Sequence, residues 1–407
     1  MSSNTADTPV VPARPLRSTT RRIVRLGPTS WVWRPRVLIS VTISLVIAFV
    51  LFLASVTISD YPVTPIDVMR IILGGGTRIE NVVILDDAVP RALVSVLVGF
   101  GLGMSGALTQ LIAQNPLATP DMLGITAGAG AAAVTAIAFG TSWGAWLADL
   151  GVPVAALIGG LGTAAVMYLL AWPGRRGIDS ARSLRSRRRS DSARSLRSRR
   201  RSDSARSLRS RRRSDHAINP LRLVLIGVGI TWVLQAATSY LLTRAEIRDV
   251  GRAQTWLVGS VANTSWSSVW PVAAALVPAV VATGVLARQI DVMSLGTDLA
   301  RSLGVRTMAV SGAVLLIAVV VAALAVSAAG PIAFVALLAP QIAMRLSRTA
   351  IPTPVASGSI GAILVVGGDI CCRTLLPDGL PVGIVTAAIG GPFLIYLMIS
   401  ISRKATV

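Results

Sequence analysis

Residues 89–124 read VPRALVSVLVGFGLGMSGALTQLIAQNPLATPDMLG. Between Arg91 and Asp121 no side chain is charged. The apolar run 92–112 is long enough to cross a hydrocarbon core of roughly 30 Å at about 1.5 Å per residue. Asn115-Pro116 closes the run, Pro120 follows, and a second apolar run begins at Leu123. A backbone interrupted at membrane depth is tolerated only where protein covers it or a water-filled cavity adjoins it. The stretch therefore predicts an all-α polytopic membrane protein in which helices cover one another's breaks.

Working outward, runs of similar length recur. Ten spans are predicted at 37–58, 92–112, 123–139, 152–170, 221–242, 269–286, 309–328, 332–344, 355–373 and 382–401, the third and eighth being short or Gly/Pro-interrupted. Composition agrees: 53% of the 407 residues are apolar and 14% charged, against about a quarter charged in soluble chains. Lys and Arg excess marks the cytoplasmic side. With the N-terminus inside, 32 of the 39 Lys and Arg fall on inner segments. Arg70, Arg78, Arg91, Arg244, Arg248, Arg252 and Arg373 fall outside. Both termini are expected in the cytoplasm.

The net charge of +21 is concentrated. Three identical copies of DSARSLRSRRRS occupy 179–214 and carry +12 of it. The organisation expected is a basic N-terminal tail (1–36), spans one to four (37–170), a Ser/Arg-rich cytoplasmic loop (171–220), and spans five to ten (221–402). Such a loop cannot bury a core and is expected to be disordered. It reads as a tolerated expansion or as an electrostatic contact with anionic lipid or RNA. No nucleic-acid partner is expected for the main activity, although the basic loop also admits a membrane-tethered nucleic-acid binder. Cys371 and Cys372 are adjacent within a span and are expected to pack rather than pair. His216 is the single histidine, so no metal site is expected and any metal would arrive inside a chelator.

The chain has one lysine, Lys404, followed by Ala405. A P-loop needs Lys then Ser or Thr after a Gly-rich turn, so ATP is not expected to bind here in that way. No cofactor and no catalytic residue are expected, and the chain is not read as an enzyme. An ion-coupled carrier would need ionisable groups within the spans. Asp369 is the clear candidate, but Arg373 four residues on faces the same side and predicts a structural ion pair.

The stretch quoted above closely resembles the permease subunits of bacterial iron-siderophore and vitamin B12 ABC importers, the FecCD type. Leu295-Gly296 with Ala300-Arg301-Ser302-Leu303-Gly304-Val305 looks like that family's cytoplasmic coupling segment, here 287–307. Ala329-Gly330-Pro331-Ile332-Ala333-Phe334 and Leu380-Pro381-Val382-Gly383 match its last spans. Asn115-Pro116-Leu117, Pro120-Asp121, Gly177-Ile178-Asp179 and Gly390-Gly391 lean toward ferric-enterobactin permeases. The resemblance implies a type II ABC importer permease fold of about ten helices in a bacterial cytoplasmic membrane. It also implies a second permease subunit, two copies of a P-loop ATPase, and an extracytoplasmic siderophore-binding protein. Import of an iron–siderophore complex is the leading expectation; a vitamin B12 or haem importer and an ion-coupled carrier are the alternatives.

Site expectations follow. Gly99, Gly103, Ser105, Gly106, Gln110, Asn115, Pro116, Gly330, Pro331 and Pro340 are read as helix packing or translocation-pathway wall, since small residues let helix backbones approach. Gly296, Asp298, Ala300, Arg301, Leu303 and Gly304 are expected to couple to the ATPase. Thr297 reads as N-cap, Gly304 as the helix-ending position, and Leu299 with Leu303 as one apolar face. By resemblance Arg91 and Arg373 dock the binding protein. Ala88, Gly379 and Gln341 depart from the family pattern, which suggests one half of a heterodimer whose partner supplies the missing charge, with a homodimer as the alternative.

Overall fold

The computed structural model describes residues 23–26, 29–32, 35–58, 64–140, 145–171, 220–376 and 379–405. The Ser/Arg repeat, and with it the expectation of disorder, lies outside the described residues. Among these, eight helices are long and apolar enough to cross a membrane, and two shorter apolar helices accompany them. The short pair, Ile125–Phe139 and Val335–Ser347, fall where the third and eighth spans are predicted, and are shorter than the eight.

The chain opens with a hairpin, β1 (Ile23–Leu26) against β2 (Thr29–Val32), pairing Ile23 with Val32. The sequence reading had only a basic tail there. Helix α1 (Pro35–Thr57) leads to α2 (Pro65–Arg70) and α3 (Arg78–Asn81). Both short helices start on a Thr capping box, Thr64 with Asp67 and Thr77 with Glu80, which satisfies first-turn N–H groups reciprocally. A π-helical segment, Val82–Ala88, then runs directly into α4 (Val89–Ala113).

The remaining helices are α5 (Ile125–Phe139), α6 (Ala145–Ala171), α7 (Pro220–Arg244), α8 (Ile247–Val258), α9 (Trp266–Met293), α10 (Thr297–Ser302), α11 (Thr307–Ala329), α12 (Val335–Ser347), α13 (Pro354–Thr374) and α14 (Val382–Ala405). Span limits shift where packing overrides charge. The sixth span was expected to stop at 286, before Arg288, yet α9 continues to Met293 because Ile290 and Met293 are buried. Helix α8 was not expected, being amphipathic and too short to cross: Ala253 is buried while Arg248 and Arg252 are exposed.

Helix α4 is the hub, packed by α9, α11, α12 and α13. Of its most apolar window 78% is buried, against 11% for α7. Near Arg91 the core joins Val94 and Val98 to Val335, Val365 and Val382. Near Gln110 it joins Met104 and Leu108 to Leu276, Val314 and Val321. Cys372 is buried in the first of these and both cysteines are free thiols, so packing is their role.

Candidate functional site

The glycines of α4 sit in a seam where backbones touch. A Cβ on Gly99 would collide with the Gly361 carbonyl, one on Gly103 with that of Ser357, and one on Gly106 with that of Ala336. Gly99 and Gly103, one turn apart, face α13, while Gly106 faces α12. The Ser105 hydroxyl donates to the Ala318 carbonyl at 2.7 Å, tying α4 to α11. All of these side chains are buried. The packing half of the expectation is what this conformation displays.

At the far end of the seam α4 stops at Gln114, whose backbone is left-handed (φ 48°). The Asn115 side chain accepts from the Leu117 N–H at 2.9 Å and holds the turn through Pro116. The Gln341 amide donates to Gln110 Oε1 at 2.8 Å and to the Pro116 carbonyl at 3.2 Å, and Gln110 in turn donates to the Leu337 carbonyl. Gln110 and Gln341 are 3% and 5% exposed. The residue noted as a departure thus completes a buried polar lock between α4 and α12. Buried Pro340 lies within α12, beside it.

The break at Gly330-Pro331 is covered by protein. Gly330 leaves α11 at φ 71°, its α-carbon side against the Trp256 carbonyl, and the Ser260 N–H donates to the Ala329 carbonyl at 2.8 Å. The loop trailing α8 therefore satisfies the Ala329 carbonyl at the break, and the end of the unexpected α8 packs over it.

At the Arg91 end α4 and α13 meet on one carboxylate, and one of its arginines reaches on to α1. Arg91 donates to Asp369 Oδ1 through Nη2 at 2.7 Å and Nε at 3.3 Å. Arg373 Nη2 lies 2.9 Å from Oδ2. Arg373 also reaches the Ser55 and Ile58 carbonyls and the Ser55 hydroxyl at the end of α1. Asp369 is 1% exposed. The expected Asp369–Arg373 pair is present; Arg91, from a helix 278 residues earlier, was not anticipated in it. Both arginines assigned to docking spend their guanidinium groups inside the protein.

The segment after α9 is framed by two positive-φ glycines, Gly296 (107°) and Gly304 (86°). Gly304 ends the helix as expected. Thr297 is not the N-cap: Gly296 holds that position and Thr297 begins α10, with no side-chain cap bond. The positive φ at residue 296 turns the chain into the helix, so the capping position falls one residue early. Ala300 is fully buried beneath α10, while Leu295, Leu299 and Leu303 are 63%, 48% and 61% exposed. Asp298 points to solvent and pairs with Arg301 at 3.7 Å, and Arg301 donates to the Thr307 hydroxyl.

The sequence reading placed α7 as its fifth span but assigned nothing to its polar face. Its exposed side includes Gln235, Ser239 and Thr243 at four-residue spacing, flanked by Trp232 and Tyr240. The Thr243 hydroxyl donates to the Tyr240 carbonyl, while the Gln235 amide and Ser239 hydroxyl would be costly against hydrocarbon, which suits this face to water or to another protein surface. The four-residue spacing was the available signal.

Comparison with known proteins agrees with this architecture. The FecCD transport family profile matches residues 46–184 and 210–400. The ferric enterobactin transport system permease protein FepG of Escherichia coli is 32% identical over 83% of this chain and 88% of its own length. The achromobactin transport system permease protein CbrC of Dickeya dadantii is 33% identical over 88% and 90%. The iron(3+)-hydroxamate import system permease protein FhuG of Bacillus subtilis is 30% identical over 90% and 97%. A solved inward-facing metal-chelate type ABC transporter superposes with a TM-score of 0.66 at 22% identity, covering 90% of this chain and 99% of that one. With the glycine seam, the covered helix breaks and these matches in place, the chain belongs to the FecCD transport family.

Proposed function

We propose that this chain is a permease subunit of an ATP-driven importer that carries a ferric siderophore complex across the cytoplasmic membrane of a bacterium. The observation that carries the reading is α10. A six-residue helix, framed by two turning glycines and anchored by buried Ala300, carries Leu299 outward, with Leu295 and Leu303 exposed at its two ends. An apolar row held on a rigid mount has the form of a contact for a soluble partner, and a separate ATPase is the partner that would supply the energy. Gly296 and Gly304 leave open space beside the helix, so a partner surface can approach closely. In this reading α10 faces the cytoplasm, and the Arg91 end faces outward toward a binding protein.

The polar face of α7 lines the translocation path or meets the second permease subunit. Two permease subunits, forming a heterodimer, two ATPase subunits and one binding protein complete the machine. Asp369 is held by two guanidinium groups, which leaves an ion-coupled carrier without its carboxylate. Relatives named for enterobactin, achromobactin and hydroxamate chelates support an iron chelate as cargo.

The test is uptake of radioiron supplied as a panel of purified chelates to a strain lacking this chain. The wild-type chain should restore uptake of at least one chelate. A Leu299→Asp/Leu303→Asp variant should reach the membrane but lose both uptake and co-purification of the ATPase. Full uptake by that variant, or concentrative uptake by the purified chain alone in liposomes, would overturn the proposal.

A further inference from the structure

Two grooves flank the first turns of α11. One, of about 620 Å³, runs between Tyr168 of α6, Arg301 of α10 and Met308, Gly312 and Ala313 of α11. The other, of about 570 Å³, runs between Leu286 and Gln289 of α9, Leu303, and Val310. They share Val305, Arg306, Ala309 and Ala313, so Arg306 stands on the ridge between them. No acidic residue lines either groove. Arg306 is exposed, and among the described residues no carboxylate lies within ion-pair distance of it.

The chemistry of this place is amphipathic in one direction. Its rim carries Arg306 and Arg301, the latter shared with Asp298 at 3.7 Å, and apolar Val305, Met308, Ala309 and Ala313 line it. The first turn of α11 holds no acidic side chain, so the dipole at that end is uncompensated by charge and adds to the attraction for an anion. It lies at the start of α11, a helix long and apolar enough to cross a membrane, so in a bilayer it would sit near the depth of lipid headgroups. Basic pockets between spans at that depth suit anionic headgroups.

We propose that the two grooves and Arg306 form a site for one anionic phospholipid, its phosphate on Arg306 and Arg301 and one acyl chain in each groove astride α11. The occupant would brace α10 against α11 and so set the position of the leucine row. The site stands on this geometry and not on the transport assignment, and its test reads lipid binding directly.

The full-length chain, stripped of lipid in a neutral detergent, is titrated by native mass spectrometry with phosphatidylglycerol, phosphatidylcholine or inorganic phosphate. Phosphatidylglycerol is expected to be retained at least tenfold more strongly than phosphatidylcholine. Arg306→Gln should remove that preference. Gly312→Leu keeps every charge, and its new side chain meets open space because no atom lies within 4 Å of a Cβ there. It fills one groove and should weaken retention at least fivefold, with the melting temperature unchanged. Arg252→Gln, at the opposite end, should change nothing. Equal retention of the two lipids overturns the proposal. So does phosphatidylglycerol binding that survives both Arg306→Gln and Gly312→Leu, which would assign it to the basic loop. Displacement by millimolar inorganic phosphate would make the site one for a free anion instead.

Discussion

The two ends of α4 are built on opposite principles from the helices that face outward. Along α4 the backbones of α12 and α13 touch it through glycines, a carboxylate gathers two arginines, and two glutamines satisfy each other and a proline carbonyl. Around α7 and α10 the same chain leaves polar groups, leucines and arginines facing away from its own core. The first region has no room for a partner; the second has surface with no internal function. A transporter needs both: a block that moves as one body, because close-packed interfaces switch rather than deform, and surfaces through which other molecules push it.

That contrast can be broken by substitution, with thermal and denaturant stability of the purified protein as the common measure. The largest loss is expected at Asp369→Asn, about 3–5 kcal/mol, because two partly buried guanidinium groups lose their shared anion. Adding Arg91→Gln to that variant should cost far less than Arg91→Gln alone in the wild type. Equal costs in the two backgrounds would show that the carboxylate does not bind the helices together.

Next is a single substitution made twice. Gly103→Leu forces a side chain into the Ser357 carbonyl and should cost about 1–3 kcal/mol or more. Gly312→Leu meets empty space and should lie within about 0.5 kcal/mol of wild type. Similar melting temperatures for the pair would remove the distinction between seam and surface. Gln341→Leu should cost about 1–3 kcal/mol, since Gln110 Oε1 and the Pro116 carbonyl lose a donor in a buried place. The smallest stability effect is expected for Leu299→Ser/Leu303→Ser, within about 0.5 kcal/mol. That variant should nonetheless abolish ATPase co-purification, separating the partner surface from the scaffold.

Much of this was legible beforehand. The spans were, because a bilayer imposes a length and an apolarity that a single segment must satisfy by itself. The short helix ending at Gly304 was, apart from its N-cap, because a left-handed helix end and four-residue leucine spacing are local. The Asp369–Arg373 pair was, since both lie on one helix. Arg91 as third member was not: nothing in the order of residues places position 91 beside position 369. Helix α8 escaped because it crosses nothing, and its value lies in covering Gly330-Pro331.

The sequence by itself thus determined that the chain crosses a membrane many times, where its helices break, and which family it resembles, because each of these follows from segments of about 20 residues read alone. Only the tertiary structure decided which glycine meets which carbonyl, that Asp369 serves two arginines, and that Gln341 answers Gln110. Those are contacts between distant segments, and in a membrane such contacts rest on close packing and hydrogen bonds between helices rather than on the apolarity that marks each helix.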